Sequence, residues 1–193
     1  EWNVTIAIHT SFNTAAEYVR IVEAVDSPNV GLCLDTGNSF LVLEDPVDFV
    51  QQVAPWVHST HFKDSAIYLQ EAGIHWFGGC ELGQGAVDLE TIAELIYQAN
   101  PACNLSIEDH WGRSTRPMLD PAFLASLGEW DGDRLSKVLQ QLWLGQALIQ
   151  EGVQPTEAEA KAMDWATLFP ERQRRNAAHA RELRDRIVAR HGG

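Results

Sequence analysis

Residues 30–38 read V-G-L-C-L-D-T-G-N, an apolar run with no charge before Asp35 and with turn residues directly behind it. A run without polar alternation belongs to a strand buried on both faces, and such strands occur in parallel sheets covered by helices. Asp35 would then stand on the C-terminal rim of the sheet, where α/β proteins keep their chemistry. Taken alone, it reads equally as a buried structural residue or a helix N-cap, so its company has to decide.

The same unit recurs along the chain. Residues 4–8 (V-T-I-A-I) predict a buried strand ending at His9, and Thr14 then caps a helix through Tyr18, Val19, Val22 and Val25. Pro46 opens a short helix through Phe49, Val50 and Val53. The strand that follows it ends in H-F-K-D, with His61 and Lys63 on one side and Phe62 on the other. Residues 65–81 read as a long lid or binding loop, with His75 and Trp76 as candidate substrate contacts beside the Gly78-Gly79 pair. A tight Leu82-Gly83-Gln84-Gly85 turn leads to a helix capped by Asp88, and residues 105–107 form a fourth strand ending at Glu108. Residues 109–133 read as irregular, and residues 136–151 as an amphipathic helix. Thr156 with Glu159 spells a capping box, and Pro170 opens a basic last helix.

Repeated strand and helix predict βαβ units and a parallel sheet, with His9, Asp35, His61 and Glu108 on one rim. One histidine at a strand end is usually structural. Two imidazoles and two carboxylates at four successive strand ends are instead a plausible ligand set for one divalent ion such as Mn, Co, Fe or Zn.

The formal charge of −13 argues against a nucleic-acid partner, whose binding draws on clustered Lys and Arg. Residues 171–193 run against this trend with seven Arg and three acids, leaving 24 acids against seven bases in the first 170 residues. That basic tail reads as a solvated helix face docking on an acidic body. No apolar stretch is long enough to span a membrane, and Cys33, Cys80 and Cys103 fit neither a disulfide framework nor a zinc ribbon. A cytoplasmic protein with reduced thiols is the expectation.

L-C-L-D-T-G-N, A-P-W-V-H-S-T-H-F-K-D, E-L-G-Q-G-A-V-D-L-E-T-I and L-S-I-E together resemble the sugar phosphate isomerase/epimerase superfamily, the xylose isomerase-like TIM barrels. The resemblance implies an α/β fold of (β/α)8 TIM-barrel type and a divalent metal, manganese first with Co, Mg, Fe or Zn as alternatives. It makes Asp35, His61 and Glu108 metal ligands, Glu108 also an acid/base, and Asn38 and Lys63 substrate contacts. Where related chains read I-E-N-H, this one reads Ile8-His9-Thr10-Ser11. Either His9 replaces the first family glutamate as ligand and catalytic group, or a deletion has removed it. The endonuclease IV branch is disfavoured, because Asn38 stands where its D-T-x-H motif carries histidine.

Four strand–helix units are half of such a barrel. Residues 1–134 are therefore expected to be its C-terminal half, covering about the last four βα units, and residues 135–193 a helical extension packing on it. The start at Glu1-Trp2-Asn3 without Met reads as processing or a missing upstream half, and two open sheet edges would favour self-association. The expected activity is metal-dependent isomerisation or epimerisation of a small sugar or polyol through an enediolate, with Lys63 balancing the oxyanion. A dehydratase or lyase on the same scaffold is the alternative. So is a barrel remnant that has lost catalysis and serves as a binding or assembly subunit.

Overall fold

The computed structural model describes residues 4–70, 73–110, 112–117 and 120–192; Glu1, Trp2 and Asn3, read above as a processed or truncated start, lie outside the described residues. Strands β1 (Ile6–His9), β2 (Val30–Asp35) and β3 (Val57–His61) form a parallel sheet in chain order. His9 lies opposite Cys33, and Asp35 lies opposite His61, so three of the four expected strand-end residues share one rim. Helices α1 (Ala15–Val25), α2 (Pro46–Val53) and α3 (Leu89–Ala99) each begin at a side-chain cap. Thr14 closes a capping box with Glu17, Asp45 receives the amides of Val47 and Asp48, and Asp88 receives that of Thr91. Their apolar stripes, including Tyr18, Val22, Phe49, Val53, Ile92 and Ile96, bury against Leu32, Leu34 and Val57 in the sheet.

The fourth strand is shorter than the sequence predicts. Residues 105–107 contribute only one parallel bridge, Phe62 to Ile107, through Phe62 N to Ser106 O at 2.7 Å and Glu108 N to Phe62 O at 3.0 Å. The reason is Thr60. Its hydroxyl donates to Asn104 O at 2.8 Å and accepts from Ser106 N at 3.0 Å, so a side chain takes the place of ladder bonds. The first strand, expected to be buried, instead exposes Val4, Ile6 and Ala7, because β1 is the open edge of the parallel sheet.

The expected lid is a β-hairpin. Strands β4 (Asp64–Gln70) and β5 (Gly73–Cys80) pair antiparallel, and β6 (Arg113–Arg116), in the region expected to be irregular, adds a third strand to β5. Ala66, Ile67 and Tyr68 of β4 and Ile74, Trp76, Phe77 and Cys80 of β5 are buried, with Leu69 exposed, so the stretch is regular structure built on hairpin faces. Helix α4 (Pro121–Ser126) follows, then α5 (Gly132–Gln150), which lies along β4. Gly145 makes that approach possible, since a Cβ there would stand 2.0 Å from Ile67 O. α5 starts before Ser136, so the division placed at residue 134 falls inside its first turn. After α6 (Glu157–Ala162), whose capping box is formed, α7 (Trp165–Arg190) packs on α3. Pro170 does not open α7; Asp164 caps it and Pro170 lies inside.

Candidate active site

Asp35 is the buried centre of the rim. Its Oδ1 accepts from Gly37 N at 3.1 Å, while its Oδ2 lies 2.7 Å from Lys63 Nζ and 3.4 Å from His9 Nε2. Burial pushes the carboxyl upward, but His9, the Lys63 charge and the Gly37 amide outweigh it and hold Asp35 below the ordinary carboxylate value. Thr10 fixes the neighbouring backbone by accepting from Asp35 N at 2.8 Å.

His61 follows from the register of β3 against β2. Its ring lies 4.8 Å from that of His9, and its Nδ1 is 3.7 Å from Glu108 Oε2. That Nδ1 is buried and has no hydrogen-bond partner. One ligand atom each from His9, Asp35 and His61 lies within 4.8 Å of the others. A buried imidazole nitrogen left without a partner, beside an ionised carboxylate and a second imidazole, is a donor set that fits a borderline divalent cation.

Glu108 reaches the same centre from the single bridge beyond β3. Its Oε2 accepts from Lys63 Nζ at 3.1 Å and lies 3.4 Å from His110 Nε2. The sequence reading missed His110. Its signal was the i, i+2 spacing from Glu108, which places both side chains on one side of an extended chain. His110 Nδ1 accepts from Gly112 N at 2.7 Å, and its Nε2 lies 3.1 Å from Lys63 Nζ as well as 3.4 Å from Glu108 Oε2. Burial, and then the Lys63 charge, hold the His110 imidazole below its ordinary pKa.

The other expected contacts separate. Lys63 is buried at the centre, bonded to both carboxylates, with its ammonium 5.3 Å from the Trp76 ring. Asn38 is buried and donates to Thr10 O at 3.1 Å, tying two strand-end loops together. Trp76 donates through Nε1 to Gly37 O at 2.9 Å, and Gly78 and Gly112 leave room for its ring. His75, one residue before it, points to the opposite face of β5, where its neighbours are Tyr68 and Thr115. Burial lowers its pKa, and Tyr68 and Thr115 both lie outside the rim cluster.

Two supports lie just outside. Asp64, fully buried, accepts from the amides of Ser65, Gly83, Gly85 and Val87 at 2.8–3.1 Å, which is what the Leu82-Gly83-Gln84-Gly85 turn is shaped around. Asp109, between Glu108 and His110, offers Oδ2 to Arg172 at 2.6 Å, Asn176 at 2.8 Å and Gln173 at 3.0 Å. The last helix thereby clamps the strand end that carries Glu108.

Among the described residues no helix is long and apolar enough to cross a membrane. The chain is 31% identical over 113 residues to 3-oxo-isoapionate decarboxylase of Pectobacterium atrosepticum, a match covering 58% of this chain and 41% of that protein. It is also similar to a xylose isomerase domain protein from Planctomyces limnophilus, with 20% identity and a TM-score of 0.47 over 76% of this chain and 47% of that one. A third similar protein is a xylose isomerase-like TIM barrel protein from Mycobacterium smegmatis solved with magnesium, with 19% identity and a TM-score of 0.48 over 75% and 45%. The chain thus spans less than half the length of each of these relatives. Residues 2–127 match the model of the xylose isomerase-like TIM barrel family, and the chain belongs to that family.

Proposed function

We propose that the rim cluster holds one divalent cation and acts on a small sugar or polyol at the carbon next to a carbonyl, as an isomerase or epimerase. The observation that supports this reading is that ligand atoms of His9, Asp35 and His61 lie within 4.8 Å of one another, while the buried Nδ1 of His61 has no hydrogen-bond partner. A cation bound there would supply Lewis acidity to neighbouring substrate oxygens. Glu108, at 30% exposure the more accessible of the two rim carboxylates, is placed to take and return a proton at substrate carbon. Lys63 Nζ, at 3.1 Å from its Oε2, steadies its charge, and His110 Nε2 lies 3.4 Å from the same oxygen. Lys63 also offers positive charge to a developing oxyanion, and Trp76 walls that side. His9, 44% exposed and on the opposite side of Asp35, takes the place expected for the first family glutamate.

A second reading is decarboxylation, favoured by the 31% identity to 3-oxo-isoapionate decarboxylase and by the lone glutamate at the centre. Loss of carbon dioxide from a 3-oxo acid leaves the bonding pair on carbon as an enolate, which needs one proton; Glu108 in its protonated form would give it and regain it from water. Isomerisation needs a proton both taken and returned.

Mn²⁺ and Co²⁺ titrations into wild type, His9→Ala and His9→Glu test the site. Binding of one ion that weakens in His9→Ala and is retained in His9→Glu supports it. Equal affinity in wild type and His9→Ala makes His9 only a strand-end residue and moves the inactive-remnant reading ahead. Turnover in deuterated water separates the reactions: solvent deuterium on carbon without carbon dioxide marks isomerisation or epimerisation, and carbon dioxide release marks decarboxylation.

A further inference from the structure

We infer that Arg116 forms an anion subsite at the mouth of the rim cluster and that the substrate is a sugar carboxylate, not a neutral sugar. The inference rests on reading the cluster as a substrate site, and deepens that reading by naming the substrate class.

Placement comes from the register of the antiparallel sheet. Trp76 lies opposite Ser114 and Ile74 opposite Arg116, and directly opposed residues project from the same face. Arg116 therefore shares the face of Trp76, the face that meets Gly37 O and Lys63. It stands two residues from Ser114, about 7 Å along the strand. From the other side comes Phe12, in the loop that follows His9, with its ring 5.9 Å from the Arg116 guanidinium. One guanidinium thus bridges the loop leaving the first rim histidine and the sheet that walls Lys63.

Its surroundings are those of a cation without a counter-ion. The guanidinium stacks 4.8 Å from the Phe123 ring, and Arg116 Nε is buried with no hydrogen-bond partner. Among the described residues no carboxylate forms an ion pair with it, in a chain carrying 27 acids against 14 bases. Arg172 pairs with Asp109, Arg175 with Glu81, and Arg186 and Arg190 with Glu90, and Arg134, stacked on Trp130, fills its fork with the carbonyls of Val42, Leu43, Leu127 and Glu129. Burial alone lowers the Arg116 pKa, with no carboxylate acting in the other direction. Partial desolvation of a guanidinium is costly unless an anion completes it, and two aromatic faces hold its planar fork in a fixed orientation. A single fork matches the two oxygens of a carboxylate.

The test uses a matched pair of probes, D-erythronate and erythritol, which have the same four-carbon skeleton with and without the carboxylate. Calorimetric titration without added metal should show the acid binding about tenfold or more tightly than the polyol. Arg116→Gln should erase that preference while leaving erythritol binding unchanged. Arg116→Lys, which keeps charge but not the fork, should retain only part of it. Equal binding of the two probes by wild type, binding of neither, or an undiminished preference in either variant with native near-UV circular dichroism overturns the subsite. Tighter binding of erythritol 4-phosphate than of erythronate overturns the assignment to a carboxylate. A separate Mn²⁺ titration keeps the two ideas apart. Mn²⁺ uptake without acid preference rejects the subsite and spares the metal reading; acid preference lost in Arg116→Gln without Mn²⁺ uptake does the reverse.

Discussion

The ammonium of Lys63 lies 2.7 Å from Asp35 Oδ2, with 2% of the lysine side chain and none of the aspartate side chain exposed. The same ammonium reaches Glu108 at 3.1 Å, so a tethered cation joins the two carboxylates of the rim. Neither charge has bulk water to fall back on. Each is tolerable only because the other is there.

Lys63→Met should therefore lower stability by about 3 kcal/mol, since Asp35 stays buried and loses its partner. Mn²⁺ should bind this variant more tightly than wild type, because it no longer meets a competing ammonium, and should restore much of the lost stability. Urea unfolding with and without Mn²⁺ checks both statements; a variant as stable as wild type without metal would contradict the first.

Gly85→Ala should be far more damaging than an alanine at an open glycine. A Cβ at Gly85 would stand 2.1 Å from Asp64 Oδ1, whereas Gly132 meets nothing within 4 Å. The expected losses are about 2–4 kcal/mol for Gly85→Ala, and below about 0.5 kcal/mol for Gly132→Ala. Chemical denaturation of the two variants side by side gives the comparison.

Asp64 should leave a mark on the pH dependence of stability. Burial raises its pKa from 3.8 to about 7, against the four backbone amides that favour the ionised form. Between these values the folded chain holds a proton that the unfolded chain has lost. The contribution is thus full below about pH 4 and is lost as pH rises through 7, at no more than about 1.4 kcal/mol per unit. Wild type minus Asp64→Asn, measured by urea unfolding at pH 4–8, should fall across that window; a flat difference would rule it out.

Arg172→Met should weaken the site from outside it. It removes a buried 2.6 Å ion pair to Asp109 and leaves that carboxylate with only the amides of Gln173 and Asn176, at a cost of about 3 kcal/mol. The Asp109→Asn/Arg172→Met double variant should lose less than the sum of the singles, because the uncompensated charge is gone. ¹⁵N spectra of His110 should show the hydrogen bond from Gly112 N to its Nδ1 weakening in Arg172→Met but not in an exposed control such as Arg174→Met.

Features that depend on residues a few positions apart were legible in the chain itself. Apolar runs closed by a polar residue marked β1 and β2, and Thr14, Asp88 and Thr156 marked helix starts, since a cap bonds an amide only three residues on. The period of two in extended chain was enough to put His61 and Lys63 on one side, and would have added His110 to Glu108 had it been applied there. What lay between distant segments could not be read this way. The pairing of β4 with β5 depends on which strand faces which, and Thr60 replaces ladder bonds only because residues 104–106 arrive beside it. Lys63 turns inward because Asp35 and Glu108, 28 and 45 residues away, offer charge that offsets its burial. Arg172 grips Asp109 across 63 residues, and Arg116 comes to lie opposite Ile74, on the sheet face of Trp76, through a strand the sequence reading left irregular. Local chemistry set where each strand ends; only the packed chain decided which charges would share the space beyond those ends, because desolvation and pairing act across contacts that no short window contains.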